Sequence, residues 1–198
     1  GISAVTATLS NSASQRVDTT FVADETTAVI TAGNLTVTTD NAIADGTATN
    51  GVQATVTDAN GNPVSGQAVS FSADNGATIA ASGTTGADGT VSETLTNTAA
   101  GVSNVTATVN GSSQRVDTTF VADDTTAEIT AGNLTVTTDN AIADGTATNA
   151  VQATVTDANG NPVSGQAVSF SADNGATIAA SGTTGADGTV SETLTNTA

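Results

Sequence analysis

The segment VQATVTDANGNPVSGQAVSFSA, residues 52–73, decides the fold class of this chain. Apolar side chains occupy every second position from Val52 to Val56, and polar residues lie between them. Residues 58–63 then bring together Asp, Asn, Gly and Pro, which favour tight turns. Alternation resumes from Val69 to Ala73. Two alternating segments around a turn predict neighbouring β-strands, each with one buried face.

The same alternation outside this segment predicts about seven short strands. The further residues predicted to face inward are Leu35, Val37, Ile79, Val91, Leu95, Val105, Ala107, Val109, Val116, Thr118 and Phe120. Asn110-Gly111 predicts a tight hairpin turn, and residues 83–89 are predicted to be a loop. This pattern predicts an all-β fold of immunoglobulin-like β-sandwiches, with Phe71 and Phe120 in the core.

Glu93 does not fit this alternation. It falls in register with Val91 and Leu95, which are predicted to face inward. Either a β-bulge re-aims its side chain, or the strand is exposed on both faces at this point.

An internal repeat gives the organisation of the chain. Residues 15–99 align with residues 114–198 without a gap, at an offset of 99. The copies differ at three positions, Glu25/Asp124, Val29/Glu128 and Gly51/Ala150. A period near 100 residues fits one self-contained β-sandwich better than a solenoid unit. The phase predicts the C-terminal strands of a preceding repeat in residues 1–24, a complete repeat in 25–123, and a repeat lacking its last strands in 124–198.

Charge and residue types exclude several functions. The 19 acidic residues outnumber the two basic ones, Arg16 and Arg115, and the net charge is −17. Such a chain repels phosphate groups, so we expect no nucleic-acid partner and no direct contact with a membrane. His, Cys and Lys are absent, which removes the usual activated nucleophiles and their bases. We therefore expect no enzyme activity, no catalytic residues and no cofactor-binding residues.

One loop resembles the beginning of a calcium site. Asp58-Ala59-Asn60-Gly61-Asn62 has the spacing of an EF-hand loop, but Pro63 and Val69 occupy the positions that need Gly and Glu. A hairpin turn is the favoured interpretation of this loop.

The junction between the repeats is a second candidate for a calcium site. Asp123, Asp124 and Glu128 cluster there, and carboxylates at such joints can hold a cation. The favoured interpretation is a solvated linker without a metal.

Several ordered motifs resemble the bacterial Ig-like group 1 (Big-1) repeat of the invasin and intimin family, the inverse autotransporter adhesins. They are residues 55–64, 66–71, 44–47, 87–90, 100–101 and 120–123. The resemblance implies a stalk on the bacterial cell surface, held in the outer membrane by a part of the protein outside this segment. It also implies that a distal domain, again outside this segment, contacts host or bacterial surface ligands.

Two functions are compatible with these observations. In the first, the repeats are structural spacers whose partners are the neighbouring repeats of the same chain, and duplication adds length. In the second, the repeats themselves bind a host receptor, a glycan or neighbouring cells. The absence of Trp and Tyr, which often anchor interfaces, favours the spacer.

Overall fold

The computed structural model describes residues 1–198, which form strands and two short 3₁₀ turns without any α-helix. At the N-terminus, β1 (Ile2–Thr8) and β2 (Ser14–Thr20) pair as an antiparallel hairpin. Every residue of both strands is exposed to solvent. We call this element the N-terminal hairpin. The chain contains no helix with the length and apolar character needed to cross a membrane.

Nine strands follow and form two packed sheets. They are β3 (Leu35–Thr39), β4 (Ala42–Ile43), β5 (Asn50–Thr55), β6 (Ala68–Ala73), β7 (Thr78–Ile79), β8 (Ser82–Thr84), β9 (Thr90–Thr96), β10 (Gly101–Val109) and β11 (Ser112–Val121). One sheet has the order β3-β5-β9-β7 and the other β4-β11-β10-β6-β8. All pairs are antiparallel except β4 with β11. We call β3–β11 the central sandwich; it confirms the predicted all-β immunoglobulin-like class.

The core of the central sandwich consists of 16 buried apolar residues drawn from both sheets. Val52, Ala54 and Val56 are fully buried, as their alternation predicts. Phe71 and Phe120 are also in this core, which confirms their predicted placement. Alternation identified these faces because successive side chains of a strand point to opposite sides of the sheet.

The central sandwich differs from the sequence-based prediction in two details. It has nine strands, two of which, β4 and β7, are only two residues long. Ser82–Thr84 forms β8 and pairs with β6, although residues 83–89 were expected to be a loop. A strand this short carries too few alternating positions for a periodic pattern to reveal it.

Glu93 faces inward without a bulge between β5 and β9. It lies opposite Val52 in an unbroken register, and its side chain is half-buried. A Cβ atom added to Gly83 would lie 2.6 Å from Glu93 Oε1. The glutamate therefore occupies space that Gly83, on the facing sheet, leaves free, and neither expected explanation was right.

The C-terminal part repeats most of the central sandwich. Its strands are β12 (Leu134–Thr138), β13 (Asn149–Thr154), β14 (Ala167–Ser169), β15 (Thr177–Ile178), β16 (Ser181–Thr183) and β17 (Thr189–Thr195). They form a four-stranded sheet, β12-β13-β17-β15, and a two-stranded sheet, β14-β16. We call them the C-terminal sheets. No strand occupies the place of β10 and β11, and the buried apolar core falls to five residues.

Candidate functional site: the joint between the repeats

A short linker connects the central sandwich to the C-terminal sheets. β11 ends at Val121, and a 3₁₀ turn begins at Asp124. Asp123 caps this turn, because its Oδ1 accepts a hydrogen bond of 3.0 Å from the Thr125 N–H. The main-chain N–H of Asp123 donates to Asp157 Oδ2 over 3.1 Å. The linker is therefore attached to the loop of residues 157–162, which we call the joint loop.

Asp157 organises the joint loop from within. Its Oδ1 accepts hydrogen bonds from the main-chain N–H groups of Asn159, at 2.9 Å, and Asn161, at 2.8 Å. Its Oδ2 accepts a bond of 2.9 Å from Asn161 Nδ2, in addition to the linker N–H. Asp157 is only 2% exposed. The carboxylate therefore fixes both the turn and the side chain of Asn161.

Two asparagine side chains of the joint loop reach the preceding sandwich. Asn161 Nδ2 donates to the main-chain oxygen of Thr98 at 2.9 Å, and Asn161 Oδ1 accepts from the Ala100 N–H at 2.8 Å. Asn159 Nδ2 donates to the main-chain oxygen of Ala44 at 2.9 Å. These three bonds span the joint, and Asn161, at 7% exposed, is buried within it.

Apolar contacts accompany these bonds. A shallow groove beside the linker is lined by Ile43 and Ala100 of the central sandwich and by Pro162 and Val163 of the C-terminal sheets. The main-chain N–H of Ala44 also donates to the oxygen of Val121 at 2.8 Å, which holds the start of the linker against the sandwich. The joint thus combines a tethered linker with direct contacts between two folded units.

The first copy of this loop, around Asp58, has the same internal geometry. Asp58 accepts from the N–H groups of Asn60, Asn62 and Asp24, as well as from Asn62 Nδ2. Asn60 and Asn62 are exposed and make no bond to another sandwich. All of the Asp58 bonds come from N–H donors, as in a hairpin turn stabilised by its aspartate.

Hydrogen bonds stabilise the ionised forms of the two loop aspartates. The side-chain hydrogen bond from Asn62 is the main cause that lowers the pKa of Asp58 to about 2. At Asp157, burial raises the pKa, but the bonds from Asn161, Asp123 and Asn159 outweigh it and hold the pKa below its ordinary value. Both loops therefore carry a full negative charge at neutral pH.

The three residues considered as metal ligands, Asp123, Asp124 and Glu128, have different structural roles. Asp123 caps the 3₁₀ turn, Asp124 is exposed in its first turn, and Glu128 is exposed beside a main-chain bridge to Thr156. No group of three or more acidic side chains lies close enough to surround a metal ion. The structure does not bring the three residues together as ligands.

Nothing in the sequence pattern distinguishes Asn159 and Asn161, which lie in the joint, from ordinary turn residues. They match Asn60 and Asn62, for which the surrounding residues predict only a turn. The only available signal was the position of the loop beside a linker, since loops at the end of a sandwich can contact the next unit.

Comparison with known proteins follows the same division into two units. The family model described as Bacterial Ig-like domain (group 1) matches residues 32–121 and 131–198. The inverse autotransporter adhesin YeeJ of Escherichia coli strain K12 is 36% identical over 183 residues, and the match covers 86% of this chain. The chain spans only 7% of the length of YeeJ.

Two solved structures of bacterial adhesins are similar to this chain. The adhesin FdeC of Escherichia coli is 27% identical, with a TM-score of 0.53, over 94% of this chain and 62% of that chain. The D0-D1 domain of intimin is 28% identical, with a TM-score of 0.45, over 86% of each chain.

Proposed function

Because this chain belongs to the bacterial Ig-like domain (group 1) family, we propose that it is a length of stalk in a bacterial surface adhesin. The observation that supports this role is the joint, where Asn159 and Asn161 bind the end of one sandwich to the beginning of the next. The linker bond to Asp157 and the three hydrogen bonds between the units would have to break or stretch for the joint to bend.

The geometry of the central sandwich favours an end-to-end arrangement. β11 begins just after Asn110, whose Nδ2 donates to the main-chain oxygen of Ala28 in the segment between the N-terminal hairpin and β3. It ends at the joint to the C-terminal sheets, where it pairs with β4. Its ten residues span about 33 Å at about 3.3 Å per residue. Each added repeat would therefore lengthen a rod by several nanometres.

The remaining parts of the proposal follow from the stalk role. The units are residues 1–24, the end of a preceding repeat; 25–123, a complete repeat; and 124–198, a further repeat. The stalk lies outside the cell, held in the outer membrane by other parts of the protein. A distal domain contacts the host or bacterial ligand, while these repeats contact their own neighbours, catalyse no reaction and hold no cofactor.

Replacement of the repeats tests this role. In an adhesin that carries this segment, deleting it should reduce adhesion, and an unrelated immunoglobulin-like spacer of equal length should restore it. If the spacer fails while the purified segment binds cells saturably, the repeats are themselves the binding module. Small-angle scattering of the dilute chain should give an elongated particle, and a compact particle would contradict the proposal.

A further inference from the structure

The three hydrogen bonds across the joint all end on main-chain atoms of the central sandwich. Asn159 Nδ2 donates to the oxygen of Ala44. Asn161 Nδ2 donates to the oxygen of Thr98, and Asn161 Oδ1 accepts from the Ala100 N–H. The side chains in these bonds belong to the joint loop. Because every residue except proline carries both a main-chain N–H and a C=O, such bonds require no particular side chain in the preceding unit.

Asn161 binds residues 98–100 as a neighbouring strand would. In a parallel ladder, a residue donates its N–H to a carbonyl of the partner strand and accepts from the N–H two positions further along that strand. The carboxamide of Asn161 makes this pair of bonds with the oxygen of Thr98, at 2.9 Å, and the N–H of Ala100, at 2.8 Å. The side chain therefore takes the place of a peptide group.

The side chains at the three contacted positions add little direction to the contact. Ala44 is fully buried, and its methyl group packs in the core of the central sandwich. The side chain of Thr98 is exposed to solvent. Ala100 lines the groove beside Pro162 and Val163, and apolar contact of this kind is not directional.

Asp157 fixes the orientation of the Asn161 carboxamide. Asp157 Oδ2 accepts from Asn161 Nδ2 at 2.9 Å, and an ionised carboxylate has no proton to donate. The amide nitrogen therefore faces Asp157 and the oxygen of Thr98, which directs Oδ1 toward the Ala100 N–H. The joint loop thus presents its donor and its acceptor in a fixed order.

Asn97 fixes the main chain on the other side of the joint. It is 4% exposed, and its Oδ1 accepts a bond of 3.0 Å from the Ala99 N–H. Its Nδ2 donates to the oxygen of Asn75, at 3.0 Å, and to Ser103 Oγ, at 3.3 Å. The segment 98–100 is therefore held from within the sandwich in the course that Asn161 contacts.

We infer that the joint loop recognises the preceding unit through its main chain and not through particular side chains. Its partner is the end of any β-sandwich that presents two carbonyl oxygens and one N–H as residues 44, 98 and 100 do. Asn97 is the positioning residue on the partner's side. The inference rests on the contact between the units, so it holds or fails independently of the stalk role.

Amide hydrogen exchange of the 198-residue chain, measured by NMR at the Ala100 N–H, tests the inference. Asn161→Ala removes the acceptor of this group and should raise its exchange rate by at least about tenfold. Thr98→Lys and Thr98→Val replace the exposed side chain but keep the main chain, so they should change the rate by less than about twofold. The N–H groups of β5 and β9 report global unfolding in each variant.

The comparison distinguishes main-chain from side-chain recognition. If Thr98→Lys and Thr98→Val raise the exchange rate at Ala100 as much as Asn161→Ala does, while β5 and β9 stay protected, the joint depends on the side chain and the inference is wrong. An unchanged rate in Asn161→Ala would overturn it as well, because the Ala100 N–H would then not be bonded across the joint.

A matched pair of variants tests the role of Asn97. Asn97→Ala removes the acceptor of the Ala99 N–H, so it should raise the exchange rate of Ala100 by about fivefold relative to β5 and β9. Ser103→Ala removes only one of the two acceptors of Asn97 Nδ2 and should not cause this local increase. Equal local increases in the two variants would contradict the positioning role of Asn97.

Discussion

Asn161 donates a hydrogen bond of 2.9 Å from its side-chain Nδ2 to the main-chain oxygen of Thr98, a residue of the preceding sandwich. The matching residue of the first copy, Asn62, keeps its bond to the loop aspartate but contacts no other sandwich. Comparing the two asparagines therefore distinguishes the hydrogen bond within the loop, which both make, from the hydrogen bonds across the joint, which only Asn161 makes.

We expect Asn161→Ala to loosen the joint, because it removes two hydrogen bonds between the units, each with a net contribution of about 1 kcal/mol. Asn62→Ala removes the bond within the loop only. Spin labels at Thr36 and Thr135, both exposed, should show a broader distance distribution in the first variant but not in the second. Equally wide distance distributions in the two variants would show that Asn161 does not restrict the angle between the two units.

Gly89 should tolerate substitution less well than Gly61. Both have positive φ angles, 75° and 83°, so alanine at either position costs about 1 kcal/mol in backbone strain. A Cβ on Gly89 would lie 2.7 Å from the oxygen of Val56, whereas Gly61 has open space around it. Gly89→Ala should therefore lower the free energy of unfolding by a further ~1–3 kcal/mol, measured by urea denaturation. Similar losses of stability in Gly89→Ala and Gly61→Ala would show that the sandwich relaxes around the methyl group at position 89.

Phe120 and Phe21 are matched in sequence but not in packing. Phe120 is 1% exposed, and Phe120→Ala should destabilise the central sandwich by about 3–5 kcal/mol. Phe21 is 68% exposed, so Phe21→Ala should change the free energy of unfolding of the central sandwich by less than about 0.5 kcal/mol in dilute solution. Thermal unfolding of both variants at low protein concentration measures the difference. A large loss from Phe21→Ala would mean that the hairpin packs on the central sandwich.

The free energy of unfolding should decrease at acidic pH, because the two loop aspartates then become protonated. The pKa of Asp58 is lowered to about 2 by the folded loop, so its contribution is complete above the unfolded value near 4 and is lost as the pH falls toward 2. The pKa of Asp157 is lowered as well, so it acts in the same direction. Urea midpoints should be constant from neutral pH to about pH 5 and then decrease.

Asp58→Asn provides the control for this pH dependence. The asparagine side chain cannot ionise, so the variant should be less stable than the native chain near neutral pH. The difference between their free energies of unfolding should decrease toward pH ~2. A gap that stays constant with pH would show that ionisation of Asp58 does not contribute to stability.

Most of the strands could be predicted from the sequence. Period-two alternation identified the buried face at Val52, Ala54 and Val56, and Asn110-Gly111 marked the hairpin, where both residues have positive φ. These features are local, because a strand alternates its side chains and a tight turn selects its residues wherever they occur.

Contacts between segments distant in sequence could not be predicted in this way. Asn50 is fully buried, where its Oδ1 accepts from the Ala42 N–H and its Nδ2 donates to Thr118 Oγ1 and the oxygen of Thr119. Nothing adjacent to Asn50 in the sequence marks it as buried. The placement of Glu93 against Gly83 depends in the same way on which strands face each other across the sandwich.

The sequence by itself determined the repeat, the all-β class, the turns and the buried faces, since each follows from a pattern within one short segment. Only the tertiary structure decided that Asn50 is buried against Thr118 and that the side chain of Glu93 fits against Gly83 of the facing sheet. The residues in each pair are not neighbours in sequence, so their contacts follow from which strands pair and which sheets face each other. Burial and hydrogen bonding depend on neighbours in space, which a repeated sequence specifies only once those neighbours are in place.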